Sequence, residues 1–149
     1  MTMTAKRILA PIDGSERSEE IVPLVAALAR DTGATVRLLR IYPVPKRVVR
    51  DTGETISYAD QEMAGLTAAG RGALEPVEAR LHDVPVERMV RFGDTVEEIA
   101  NEAEAFDADV IVMTGTARTG LRRVLSRGIA DRVTERVTVP TLVLRLPAA

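Results

Sequence analysis

The sequence predicts one α/β domain over residues 1–149, built on a doubly wound, five-stranded parallel sheet with helices on both faces. Three observations predict it. Short apolar or β-branched runs alternate with helical periodicity along the chain, which implies right-handed βαβ crossovers and a sheet covered on both sides. With 149 residues, 46% of them hydrophobic and 28% charged, the chain is long enough for one core and short for two. No internal repeat, low-complexity tract or long linker divides it.

The elements follow in order. Arg7 to Ile12 (RILAPI) is an apolar strand that breaks at Asp13-Gly14-Ser15, where Ser15 is expected to cap a helix whose first turn carries Glu16, Glu19 and Glu20. Ile21, Val22, Leu24, Val25 and Leu28 form one helical face, and Gly33 supplies a left-handed C-cap. Thr35 to Ile41 (TVRLLRI) is the second strand. Pro43, Pro45 and Gly53 mark a long loop, and Ser57 to about His82 reads as a helix weakened by Gly65, Gly70, Gly72 and Pro76. Val84 to Phe92 is a third strand, Thr95 to Phe106 a helix and Asp109 to Met113 a fourth strand. Leu121 to about Val137 reads as helical and Thr141 to Leu146 (TLVLRL) as the fifth strand.

Composition removes most side-chain chemistry. With no cysteine, disulfide frameworks, thiolate catalysis and thiolate metal sites are excluded. His82 is the single histidine, so a multi-histidine metal site is excluded and any Ser-His-Asp triad would run through it; beside Asp83 it is expected to be exposed at a helix end. Two Phe, two Tyr and no Trp leave no stacking platform for single-stranded nucleic acid, and the net charge of -2 gives no polybasic signal, so nucleic acid is not an expected partner. The N-terminal apolar run is too short for a secretory signal, and Ile21 to Ala29, interrupted by Pro23, falls far short of the ~20 residues that span a bilayer. A cytoplasmic protein without membrane association is expected.

In an open parallel sheet, ligands sit beyond the carboxyl ends of the strands where the strand order reverses, which for a sheet of order 3-2-1-4-5 is between strands one and four. Asp13-Gly14-Ser15 would flank that crevice on one side and Thr114-Gly115-Thr116-Ala117-Arg118-Thr119-Gly120 on the other. The second loop has two readings: a phosphate cradle opening a helix, or an ordinary tight connection. It is not a Walker loop, since Leu121-Arg122 stands where Lys-Ser/Thr is required, and no G-x-G-x-x-G follows strand one. Asp13 also has two readings, a ligand or cation contact and a cap on its own turn. Pro11, two residues before it, excludes an aspartyl-nucleophile phosphatase pattern. Arg118, Arg122, Arg123, Arg127, Arg132 and Arg136 face only Asp131 and Glu135 in their segment, a local excess that is either an anion-binding face or solvated helix surface.

KRILAPIDGSERSEEIVPLVAALA, VRLLRIYPVP, FGDTVEEIANEAEAFDADVIVM and RTGLRRVLSRGIADRVTERVTVPTLVLR, in that order, resemble successive segments of the universal stress protein family over nearly the whole chain. The resemblance implies the adenine nucleotide alpha hydrolase-like fold and a homodimer through the last strand, Thr141 to Leu146. In nucleotide-binding members a G-x2-G-x9-G-[S/T] pattern wraps the phosphates of ATP; its positions fall here on Thr114, Ala117, Arg127 and Gly128. Arg127 is the most consequential change, because a side chain stands where a backbone amide would approach phosphate. Asp13 matches the family's acidic contact to the nucleoside and Ile41 the backbone position at the adenine edge. The resemblance thus gives Pro11, Ile12, Asp13, Ile41, Met113, Thr114, Gly115, Thr116, Ala117, Arg118, Arg127, Gly128 and Ile129 as nucleotide-binding candidates, with no catalytic or metal-ligating residue among them. The expected function is a non-catalytic stress-response or regulatory homodimer whose ATP site is altered, weak or absent. The alternative is an ATP- or AMP-binding switch or slow ATPase, with Mg accompanying ATP.

Overall fold

All four strand pairings in the computed structural model are parallel, and they set the sheet order β3-β2-β1-β4-β5. The structure describes residues 5–45, 54–116 and 128–147. Within them run β1 (Arg7–Pro11), a 3-10 turn (Ser18–Ile21), α1 (Val22–Thr32), β2 (Thr35–Tyr42), α2 (Glu54–Ala79), β3 (Val86–Phe92), α3 (Thr95–Phe106), β4 (Val110–Thr116), α4 (Ile129–Arg136) and β5 (Thr141–Leu146).

The period of two along each strand divides the core. Ile8, Ala10 and Ile12 with Val36 and Leu38 face one side, where they meet Val25 and Ala29 of α1 and Leu74 and Val77 of α2. Leu9, Leu39, Ile111 and Met113 face the other, against Ile99, Ala103 and Phe106 of α3 and Ala130 and Val133 of α4. Near-continuous apolar strands are what a sheet covered on both faces requires.

Several boundaries differ from the sequence expectation. Ser15 does not cap an α-helix: it accepts the Ser18 N–H at 3.1 Å within a tight turn, and α1 begins only at Val22, after the 3-10 turn, with Pro23 in its first turn. Gly33 does end α1 in the left-handed region, at φ 72°. The second helix runs from Glu54 to Ala79 and tolerates Pro76. Its Gly70 has a packing reason: an added Cβ would lie 2.9 Å from both the Tyr42 ring and Val90. His82 is exposed as expected, but beyond the end of α2, and its carbonyl accepts from the Arg30 guanidinium at 3.0 and 3.1 Å. β4 continues through Thr114–Gly115–Thr116, paired to Leu144, Arg145 and Leu146, so those three residues are strand and not the start of a loop. Of the helix expected from Leu121 to about Val137, Ile129–Arg136 is observed as α4, and the part before Gly128 lies outside the described residues.

Candidate functional site

β1 lies between β2 and β4, and the chain leaves β1 and β4 toward opposite faces of the sheet, to α1 and α4. A crevice therefore opens beyond the carboxyl ends of these strands. The registers pair Pro11 with Leu39, and Ile8 and Leu9 with Val110 and Ile111, which continued sets Met113 opposite Pro11. Two residues on, Asp13, Ile41 and Gly115 reach the same level at the edge of the sheet.

The first wall is the turn after β1. The Ile12 N–H donates to the Leu39 carbonyl at 2.8 Å, anchoring buried Ile12 and carrying Asp13 into the open. The Asp13 carboxylate accepts the Ser15 N–H at 2.8 Å, while its own N–H donates to the Ser18 hydroxyl at 3.1 Å. That hydroxyl donates to the Ser15 carbonyl at 2.8 Å, and Gly14 turns the chain at φ +89°. Burial raises the Asp13 pKa, but hydrogen bonds from Ser15 and Ser18 and the nearby Arg40 charge outweigh it and hold the carboxyl below its ordinary value. The carboxylate caps its own turn and stays ionised at neutral pH.

The second wall is the end of β2. The Leu39 carbonyl is bonded toward β1 and that of Tyr42 accepts from Gly93 beyond β3 at 3.0 Å, so the alternation directs the backbone of half-buried Ile41 toward β1, past the last bond of that ladder. Arg40, which the sequence reading did not single out, stacks its guanidinium over the Tyr42 ring at 4.7 Å. Its Nε is buried with no hydrogen-bond partner among the described residues. The signal was an arginine in step with Leu38 and Tyr42, on the face of the strand that Val36 and Leu38 turn to the core.

The third wall is the end of β4. Met113 is buried, Thr114 and Gly115 are half-buried and Thr116 is exposed. Gly115 lets α4 and β5 close on β4, because an added Cβ would lie 2.7 Å from Val143 and 2.9 Å from the Arg145 guanidinium. Arg145 donates to the Thr116 carbonyl at 3.3 Å and pairs with Asp131 at 2.9 Å. Gly128 caps α4 at φ -70°, a conformation open to any residue, and Ile129 beside it is 41% exposed. Ala117, Arg118 and Arg127 lie outside the described residues, as do Thr119, Gly120 and the arginines at 122 and 123. Of the remaining arginines, Arg136 is held by Glu97 at 3.0 and 3.2 Å rather than offered to an anion, and Arg132 is exposed.

Among the described residues no group of three or more His, Cys, Asp or Glu side chains is placed to hold a metal ion. No described helix is long and apolar enough to cross a membrane. At the opposite end of the strands, a cavity of about 350 Å³ is lined by Arg7, Arg37, Glu87, Phe106 and Asp107, whose charges pair among themselves.

A parallel sheet whose order reverses between β1 and β4, with an ionised carboxylate in the turn after β1, defines the class of open, doubly wound α/β domains. The chain belongs to the universal stress protein family, whose family model matches residues 4–145. It is 31% identical over 147 residues to Universal stress protein MJ0531 of Methanocaldococcus jannaschii, covering 95% of this chain and 83% of that one. The solved structure of the hypothetical protein MJ0577 superposes with a TM-score of 0.77 at 24% identity, covering 99% of this chain and 100% of that one. A universal stress protein solved in complex with cAMP superposes with a TM-score of 0.70 at 17% identity, covering 96% and 98%.

Proposed function

We propose that this protein is a non-catalytic regulatory homodimer of the stress response that binds adenine mononucleotides, its grip on the distal phosphates of ATP weakened. The observation that carries the reading is the pairing of Asp13, ionised and held by its own turn, with the crevice-facing backbone of Ile41. A carboxylate accepts hydroxyl or amine donors of a nucleoside, and a free strand backbone reads a base edge. The structural relative bound to cAMP supports an adenine ligand carrying a single phosphate. The replaced positions Thr114, Ala117 and Arg127 support the weakened triphosphate contact, since each lost charge-assisted amide bond removes about 1.5–3 kcal/mol. A carboxyl held below its ordinary pKa is a poor general base at neutral pH, which supports the non-catalytic reading.

The resemblance implies a dimer through β5, and the two sheet edges support that choice. On β3 the outward Arg88 carbonyl accepts from Arg71 of α2 at 3.0 Å, so side chains occupy that edge. β5 lies at the other edge with Leu142 40% exposed, the kind of edge that pairs with a second copy.

Calorimetric titration of nucleotide-free protein with AMP tests the site. Binding is expected in the wild type and at least about tenfold weaker in Asp13→Ala, the loss of one charged hydrogen-bond acceptor. AMP binding that is indifferent to Asp13→Ala would overturn the reading.

A further inference from the structure

We propose that Arg40 is a ligand-contacting residue of the crevice, its guanidinium binding the phosphate adjacent to the nucleoside in place of the glycine-loop amides. The identity of the ligand rests on the adenine-mononucleotide reading above. Arg40 immediately precedes Ile41, and its guanidinium reaches back over the β1 turn: a Cβ on Gly14 would lie 2.6 Å from Nη1 and 3.2 Å from Cζ. Gly14 therefore both turns the chain at φ +89° and makes room for this side chain. The Tyr42 ring, 4.7 Å from Cζ, also packs against the guanidinium, so the group is placed before any ligand arrives.

The buried Nε has no partner among the described residues, and an unpaired buried donor on a charged group is costlier than a neutral one. The Asp13 carboxylate, the nearby opposite charge, is turned to the Ser15 N–H. A guanidinium so held takes an oxyanion best, through its planar fork of N–H donors. Asp13 and Arg40 together present an acceptor and an anion-binding donor, which suits a nucleoside monophosphate and gives neutral adenosine nothing at Arg40.

The test follows the arginine Nε–H resonances in ¹⁵N-edited spectra of the wild type, with the Arg40 signal assigned by its loss in Arg40→Lys. Adenosine, AMP and inorganic phosphate are the probes. The Arg40 resonance is expected to move with AMP and stay in place with adenosine, and Arg40→Gln to weaken AMP about tenfold to a hundredfold while leaving adenosine unchanged. If the Asp13 and Ile41 amides move with AMP but Arg40 does not, or if Arg40→Gln weakens both compounds equally, the role of Arg40 is overturned and the nucleotide reading stands. If no crevice resonance responds to AMP or adenosine, the nucleotide reading fails, and inorganic phosphate decides the rest. A phosphate-induced shift at Arg40 retains it as an anion site, and no shift overturns it.

Discussion

Asp13 and Arg40 are neighbours in space that differ in how they announce themselves. An acid directly after an apolar strand, followed by Gly-Ser, marks a turn at a strand's carboxyl end, so Asp13 is legible from local pattern alone. The placement of Arg40 depends on Gly14 and on the ring of Tyr42, and the contact across two strands has no local signature. The Asp13 pKa carries a prediction. Burial raises it, and the bonds from Ser15 and Ser18 with the Arg40 charge lower it further than burial raises it, so the folded value lies below the unfolded one. The stabilisation is then present above the unfolded carboxyl value of about 3.9 and is lost as pH falls through the folded value. Urea unfolding of the wild type and Asp13→Asn should show a wild-type advantage at neutral pH that shrinks below about pH 4. An advantage that stays constant down to the acid limit of folding would contradict this.

At the scale of elements, α3 shows both what sequence pattern conveys and where it stops. Its bounds, Thr95 and Phe106, follow from an Asp94 cap that accepts the Glu97 N–H at 3.1 Å and from apolar residues on one face. The same pattern gives no warning that Glu102 lies on the inner face. Its carboxylate is 1% exposed and pinned by Arg37 at 2.8 Å and Arg91 at 2.7 Å, with Arg37 also stacked 4.2 Å over Phe106. A buried ion cluster joins α3, β2 and β3, and it is visible only once the sheet register brings Arg37 and Arg91 under the helix. The overrun of β4 has a similar cause. Thr114 and Thr116 favour a strand, but Gly115 between them reads locally as a loop until β5 and α4 supply the close contacts that require a glycine. Glu102→Ala should destabilise the fold by about 2–3 kcal/mol, somewhat below a fully buried pair because Arg37 and Arg91 keep 18% and 29% of their side-chain exposure. A loss under about 0.5 kcal/mol in urea unfolding would show that water replaces the carboxylate without cost.

For the whole molecule, the alternation of strand and helix gives a doubly wound parallel sheet, and the observed order β3-β2-β1-β4-β5 puts the reversal between β1 and β4, where such sheets open a crevice. The resemblance already named β5 as the pairing edge, whereas the engagement of the β3 edge by Arg71 is a tertiary contact with no sequence signal. Light scattering at micromolar concentration should give twice the 16.1 kDa chain mass, and Leu142→Lys should shift it toward the single chain. A strict monomer in the wild type would remove β5 as an interface.

If the nucleoside half of the crevice is retained and the distal-phosphate half is weakened, AMP and ATP bind with similar affinity. Calorimetry on nucleotide-free wild-type protein with Mg present reads this as the ratio of AMP to ATP affinity. ATP is expected to bind no more than about threefold tighter than AMP, less than 1 kcal/mol for the two added phosphates. ATP bound tenfold tighter or more would show a working triphosphate cradle and contradict it.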